Sequence, residues 1–227
     1  MRAVEMKEAQ GSLKWIRMAV NDFPSLLNRE VQVACNLDPD DMISWVSPLA
    51  DDKYAEYGDK TFLNRLGISL SARPLESFWP NRGPQWDALG KTDRGTVLLV
   101  EAKANIPEVV SPGTQASAKS RALIQSSLGE VQAFLSVDRT ISWTGKLYQY
   151  TNRLAHLYLL RELNGINARL VFVYFTGDDD VDGPLTTAAW KSALKVVKGV
   201  LGLSERHRLS KYIADLFIDV RELRSAA

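Results

Sequence analysis

Pro84-Gln85-Trp86-Asp87-Ala88-Leu89-Gly90, a polar turn, and then Thr96-Val97-Leu98-Leu99-Val100-Glu101-Ala102-Lys103-Ala104-Asn105 form the stretch whose reading decides the fold. Thr96 to Val100 is a short run of β-branched and aliphatic residues entered through Lys91-Thr92-Asp93-Arg94-Gly95, so it reads as a buried strand after a hairpin-like turn. Side chains alternate between the faces of a strand, so Glu101 and Lys103 share one face and Ala102 takes the other. Charge placed directly after a core run is costly unless something uses it. If the two segments pair antiparallel through the turn, Asp87 returns alongside Glu101. Two carboxylates and one ammonium then converge at one edge of a sheet.

That trio suits hydrolysis of a phosphodiester. Two carboxylates can hold a hard divalent cation such as Mg²⁺ and leave coordination positions to water and phosphate oxygens. The cation stabilises developing charge and acidifies its water, and a nearby lysine can orient that water. Glu-X-Lys alone is a common tripeptide and would mean a solvated ion pair at a strand end. The apolar run, the turn and Asp87 together carry the catalytic reading.

Asp87 followed by Glu101-Ala102-Lys103 resembles the Asp…(Asp/Glu)-X-Lys signature of the PD-(D/E)XK, or restriction-endonuclease-like, nuclease superfamily, with a separation of 14 residues between Asp87 and Glu101. Trp86 stands where the family name has a proline, and Pro84 lies two residues earlier. The resemblance implies a metal-dependent nuclease acting on DNA, with Asp87 and Glu101 binding Mg²⁺ or Mn²⁺ and Lys103 positioning the attacking water. It also implies a helix before the first core strand whose acidic residue can join the metal. Glu56, in a predicted helix over 51–67 closed by Gly67, is that candidate by position. The alternative is a catalytically inactive nucleic-acid-binding or regulatory protein on a nuclease-like fold.

Composition bounds these readings. The chain has 227 residues, 45% hydrophobic and 24% charged, ordinary for a soluble globular protein with one substantial core. Its formal net charge of +1 gives no general pull towards nucleic acid, so any such contact needs a local basic surface. The single cysteine, Cys35, reads as a small buried thiol. Met1 to Ser12 lacks the apolar core of a signal peptide and no run reaches membrane-spanning length, so a cytoplasmic protein without membrane contact is expected. A homodimer is an assembly left open by the sequence.

Around the central stretch, residues 1–12 read as a polar, frayed end. Leu13 to Cys35 suits one or two amphipathic helices broken at Asn21-Asp22-Phe23-Pro24, Met42 to Val46 a short helix, and Leu75 to Trp79 the first strand. Ala116 to Val137 follows helical spacing, with Ser117, Lys119, Ser120 and Arg121 on its early turns and Gln125 a turn later, polar groups within reach of substrate if the resemblance holds. Lys146 to Leu163 is a helix apolar over most of its circumference, on which Gln149, Asn152, Arg153 and His156 form one row. That row either contacts phosphate or bases, with Gln149, Asn152 and Arg153 as substrate ligands, or is an interhelical network around a core histidine. If it lined a closed pocket, a small-molecule enzyme would be favoured. Ala168 to Phe175 reads as a central strand covered on both faces, Asp178 to Gly183 as an acidic surface turn without the closing glutamate of a calcium loop, Leu185 to Leu203 as a helix and Ile213 to Val220 as a last strand. The expected architecture is α/β, a mixed central β-sheet flanked by helices and restriction-endonuclease-like, with residues 1–48 a helical N-terminal extension and 49–227 the nuclease-like domain.

Overall fold

The computed structural model describes residues 9–224, so most of the polar end expected at 1–12 lies outside the described residues. In chain order the elements are α1 (Gly11–Asn21), α2 (Pro24–Ala34), β1 (Ile43–Ser47), α3 (Asp59–Leu66), α4 (Leu75–Phe78), β2 (Ala88–Thr92), β3 (Val97–Lys103), α5 (Ala118–Phe134), α6 (Tyr148–Tyr158), β4 (Ala168–Thr176), α7 (Thr187–Val200), β5 (Ile213–Asp219) and α8 (Val220–Arg224). The five strands form one sheet in the order β1-β2-β3-β4-β5. β1, β2 and β3 pair antiparallel, while β3, β4 and β5 run parallel, so the sheet is mixed.

Alternation along the strands assigns the two cores. Leu98, Val100 and Ala102 of β3, with Val171, Val173 and Phe175 of β4, pack against Trp15, Ile16, Ala19 and Val20 of α1, Leu27 and Val31 of α2, and Leu223 of α8. Val97 and Leu99, with Phe172 and Tyr174, face the opposite way into a core that includes side chains of α3 to α7. Helices therefore cover both faces, which accounts for the nearly continuous apolar run of β4. Among the described residues no helix is long and apolar enough to cross a membrane.

Two local expectations are reversed. Met42 to Val46 is the edge strand β1, not a helix: Ile43, Trp45 and Val46 are β-branched or aromatic, and Trp45 lies over Gly90, where a Cβ would meet its ring at 2.9 Å. Leu75 to Trp79 is one helical turn, not a strand. Pro74 starts it, and Ser77 Oγ and the Trp79 N–H close it on the carbonyls of Pro74 and Leu75. The helix expected over 51–67 begins only at Asp59, and Gly67 ends it in the left-handed conformation. Before it the chain makes a 3-10 turn at Ala50–Asp52, passes through left-handed Lys53 and Tyr54 and is then extended: Tyr57 bridges Trp86, and Gly58 passes so close to Pro84 that a Cβ would stand 2.7 Å from the Pro84 carbonyl oxygen.

The helices before residue 48 do not stand apart from the sheet. α1 and α2 form one of its covering layers, and β1 is one of its strands. The acidic loop 177–184 is a surface turn at Asp179, Asp180 and Asp182, but its first carboxylate is drawn in: Asp178 is fully buried and accepts a hydrogen bond of 2.6 Å from Trp15 Nε1. Lys14 adds an ion pair to Asp180 at 3.1 Å on the surface. Trp15→Phe leaves the buried carboxylate without that donor and is expected to cost about 1–3 kcal/mol. Lys14→Ala removes the surface ion pair and the ammonium that stands 4.5 Å from the Trp15 ring centroid, and is expected to cost about 1 kcal/mol or less. Urea unfolding of the two variants measures the difference.

Candidate functional site

The β2–β3 register sets the site. Ala88 pairs with Val100, which brings Asp87 opposite Glu101 as the hairpin reading requires. Asp87 Oδ2 accepts a hydrogen bond of 2.7 Å from the Ala102 N–H, tying the first carboxylate to the backbone of the strand that carries the second. β3 is the middle strand of the sheet, so the charges meet at the end of its centre and not at an edge.

Glu101 is almost completely buried and is held by two cations. Its Oε1 pairs with Lys103 Nζ, while Oε2 accepts from Arg153 Nε at 2.6 Å and forms an ion pair with Nη2 at 2.5 Å. Arg153, itself buried, is fixed further by Asn152 Oδ1 at 3.0 Å and the Gln85 carbonyl at 2.7 Å, and its guanidinium lies 4.7 Å from the Trp86 ring centroid. Burial works to raise the Glu101 carboxyl, but the Arg153 guanidinium and the Lys103 ammonium overcome it and hold the pKa below the usual value. For Lys103 burial opposes charge, and the carboxylates of Glu101 and Asp87 keep its pKa above the ordinary lysine value. Lys103 is therefore an ammonium at neutral pH, able to donate hydrogen bonds and not to accept a proton.

Asp87 has the reverse balance. Burial first and the neighbouring Glu101 charge second push its carboxyl up to about 8, against the opposing pull of Lys103, with Glu56 adding to the rise. Its side chain helps line a cavity of about 470 Å³ together with Glu56, Lys103, Glu108, Gln149 and the Ser12-Leu13 start of α1. Glu56 thus reaches the neighbourhood of Asp87, but from the extended segment beside Trp86 and not from a helix. Glu108 was not anticipated. Asn105 caps a short turn, accepting from the Glu108 N–H at 3.0 Å, and the Glu108 carboxylate returns to Asn105 Nδ2 and the Ala104 N–H, both at 3.1 Å. The Asn-x-x-Glu spacing of a capping box was the signal for it.

The polar row of α6 divides. Gln149 lines the cavity. Asn152 and Arg153 are spent on Glu101 and its surroundings, in a buried network that joins α6 to β3 and the Gln85 carbonyl and not to another helix. His156 accepts or donates at 2.8 Å with the Asn152 carbonyl and lies among Trp79, Trp86 and Phe62; burial lowers its pKa to about 4, which makes it a neutral core histidine. Gln125 is exposed on α5 and lines a separate hollow with Arg139 and Trp143, so the structure does not bring it to this site. Cys35 is buried and its thiol is pushed up to about 11, an inert side chain.

Among the described residues no three of His, Cys, Asp and Glu gather as a metal-ligating group. What is present is a pair of hard oxygen donors, Asp87 directly before β2 and Glu101 on β3, one of them poorly neutralised, beside an acidic cavity. That set fits Mg²⁺, which is commonly held by one or two carboxylates and completes its shell with water and phosphate oxygens. Asp87 and Glu101 would hold it; Glu56 faces the same space without completing a three-residue set.

The raised Asp87 pKa has a stability consequence. Between the unfolded value near 4 and the folded value near 8, the folded chain binds the extra proton, so stability falls as pH rises across that window. Asp87→Asn is expected to flatten this decline and to be the more stable protein at pH 8, read from thermal unfolding with a chelator present. Arg153→Met, which strands the buried Glu101, is expected to cost about 3–5 kcal/mol in urea unfolding. No protein-family model, curated protein or solved structure matches the chain.

Proposed function

We propose that the chain is a metal-dependent phosphodiester hydrolase, a nuclease acting on DNA, built in the manner of the restriction-endonuclease-like enzymes that the Asp87 and Glu101-Ala102-Lys103 pattern resembles. The observation that carries the reading is the Ala102 N–H bond to Asp87, which fixes one carboxylate beside the Glu101–Lys103 pair at the wall of an open cavity. Bound Mg²⁺ or Mn²⁺ would neutralise phosphate charge and acidify a water.

The residues divide that work as follows. Asp87 and Glu101 supply oxygen ligands, and the backbone bond to Asp87 keeps its carboxylate from rotating away. Arg153 grips Glu101 Oε2 and so orients the carboxylate, a positioning residue and not a substrate ligand. Lys103, held protonated by its two carboxylate neighbours, donates hydrogen bonds to the attacking water or to a phosphoryl oxygen; it orients and stabilises charge but does not abstract the proton. Gln149 reaches the cavity with an amide that can hydrogen-bond substrate. The carboxylates of Glu56 and Glu108 make the cavity acidic, so a phosphodiester enters it only with cations present.

One observation favours the second reading, a nucleic-acid-binding or regulatory protein without turnover. Both oxygens of Glu101 are already engaged, one by Lys103 and one by Arg153. Cleavage of single- and double-stranded DNA and RNA with Mg²⁺ or Mn²⁺ separates the readings. Metal-dependent cleavage is expected, falling about 10²–10⁴-fold in Lys103→Met and in Asp87→Asn. Absence of cleavage on every substrate, with no heat of Mg²⁺ or Mn²⁺ binding in calorimetry, would sink the hydrolase and leave the binding protein.

A further inference from the structure

The charge of this chain is unevenly spread. Residues 187–212 carry six Lys or Arg against one Glu, and the rest of the chain carries 22 basic against 26 acidic residues. This basic segment is α7 and the turn leading into β5, and it borders a cavity of about 680 Å³ separate from the one beside Asp87. Such a volume suits a small organic ligand.

The lining is chemically divided. Lys191, Lys195 and Lys198 project from one side of α7 at helical spacing, and the sheet supplies a floor from Ile213, Asp215 and Phe217. Lys198 is spent on Asp215 Oδ2 at 2.6 Å. Lys191 and Lys195 are exposed and hold no ion pair among the described residues, and the Lys191 ammonium stands 5.6 Å from the Phe217 ring centroid. The cavity therefore offers two free cations, Lys191 and Lys195, beside an apolar wall that includes Phe217 and Leu194.

We propose that this cavity is a nucleotide-binding site, with the phosphates on Lys191 and Lys195 and the base against the Phe217 wall. A simple polyanion would use the lysines but leave the apolar wall without a role. A neutral apolar ligand would leave the lysines without a role. The site stands independently of the Asp87 chemistry. Its position also admits a nucleotide that is part of a strand, because Glu101, Phe172 and Asp215 are cross-strand neighbours and two strand spacings amount to about 10 Å. Tyr150, stacked on Phe172 with centroids 4.6 Å apart, borders both this cavity and the crevice beside Glu101.

The test is titration of the full chain with ATP by calorimetry, with a fluorescein-labelled twelve-nucleotide oligodeoxyadenylate by anisotropy, and with inorganic triphosphate. Wild type, the Lys191→Glu/Lys195→Glu double variant and Asp87→Asn are compared, and circular dichroism checks their folding. Binding of ATP, of the oligonucleotide or of both is expected, weakened at least about tenfold in the double variant, as removal and reversal of two phosphate contacts implies. ATP alone identifies a free nucleotide as the ligand; the oligonucleotide alone identifies a nucleotide within a strand. With no divalent metal present, Asp87→Asn is expected to bind ATP as wild type does, so loss of cleavage and loss of this binding are separable. No binding of either probe, binding unchanged in the folded double variant, or triphosphate bound as tightly as ATP would overturn the proposal.

Discussion

A charged group in the middle of a covered sheet governs this structure. Glu101 is nearly inaccessible to water on the central strand, and an uncompensated carboxylate there would be too costly to remain ionised. Arg153 and Lys103 neutralise it, and each brings a constraint. Arg153 must come from α6, so that helix lies on the sheet with its most polar side inward, and the Gln85 carbonyl, Asn152 and the Trp86 ring hold the guanidinium in one orientation. His156, one turn further along, is excluded from water by the same packing and stays neutral. Buried ion pairs contribute little net stability relative to apolar substitutes, so the network is better understood as fixing geometry.

The two carboxylates, Asp87 directly before β2 and Glu101 on β3, have opposite environments. Glu101 is over-supplied with cations and Asp87 under-supplied, which sets their pKa values apart in opposite directions. Such separation is a frequent property of reactive sites and is expensive in folding terms. The surrounding chain tolerates it by fixing Asp87 through the Ala102 N–H and by placing it at a cavity, where one side of the carboxylate meets space and not packed apolar atoms. The first turn of α1 forms part of the wall of that cavity. α1 therefore walls the site as well as covering a face of the sheet, and the buried Trp15–Asp178 bond ties α1 to the loop that follows β4.

Legibility varied with the range of the forces involved. The β2–β3 hairpin, the face shared by Glu101 and Lys103 and the burial of β4 follow from alternation and turn composition, which are local. The α1–α2 break at Pro24 and the end of α3 at Gly67 were equally readable, because proline and a left-handed glycine act on their own backbone. Ile43–Ser47 and Leu75–Phe78 were misread because each is only one turn or one short strand long, and tertiary pairing outweighs propensity at that length. Glu56 was placed in the right neighbourhood on the wrong element, since the close approach of Gly58 to Pro84 that extends this segment joins residues distant in sequence. Gln125 was assigned to substrate by its place on the helix after the Glu-X-Lys strand, and Arg153 either to substrate or to an internal network. One points away on α5 and the other is consumed by Glu101, outcomes that depend on how the helices rotate against the sheet.

By itself, the sequence determined the local order: which residues form the paired strands, which share a face, and that Asp87, Glu101 and Lys103 belong together through a single short hairpin. Only the tertiary structure decided what neutralises Glu101, that Lys103 stays charged, that Asp87 does not readily ionise, and that the basic residues of α7 gather over an opening beside β5. The physical reason is that periodicity and turn chemistry act within a few residues. Desolvation and Coulomb energies depend on what arrives from elsewhere in the chain, and here Arg153 arrives from 52 residues away.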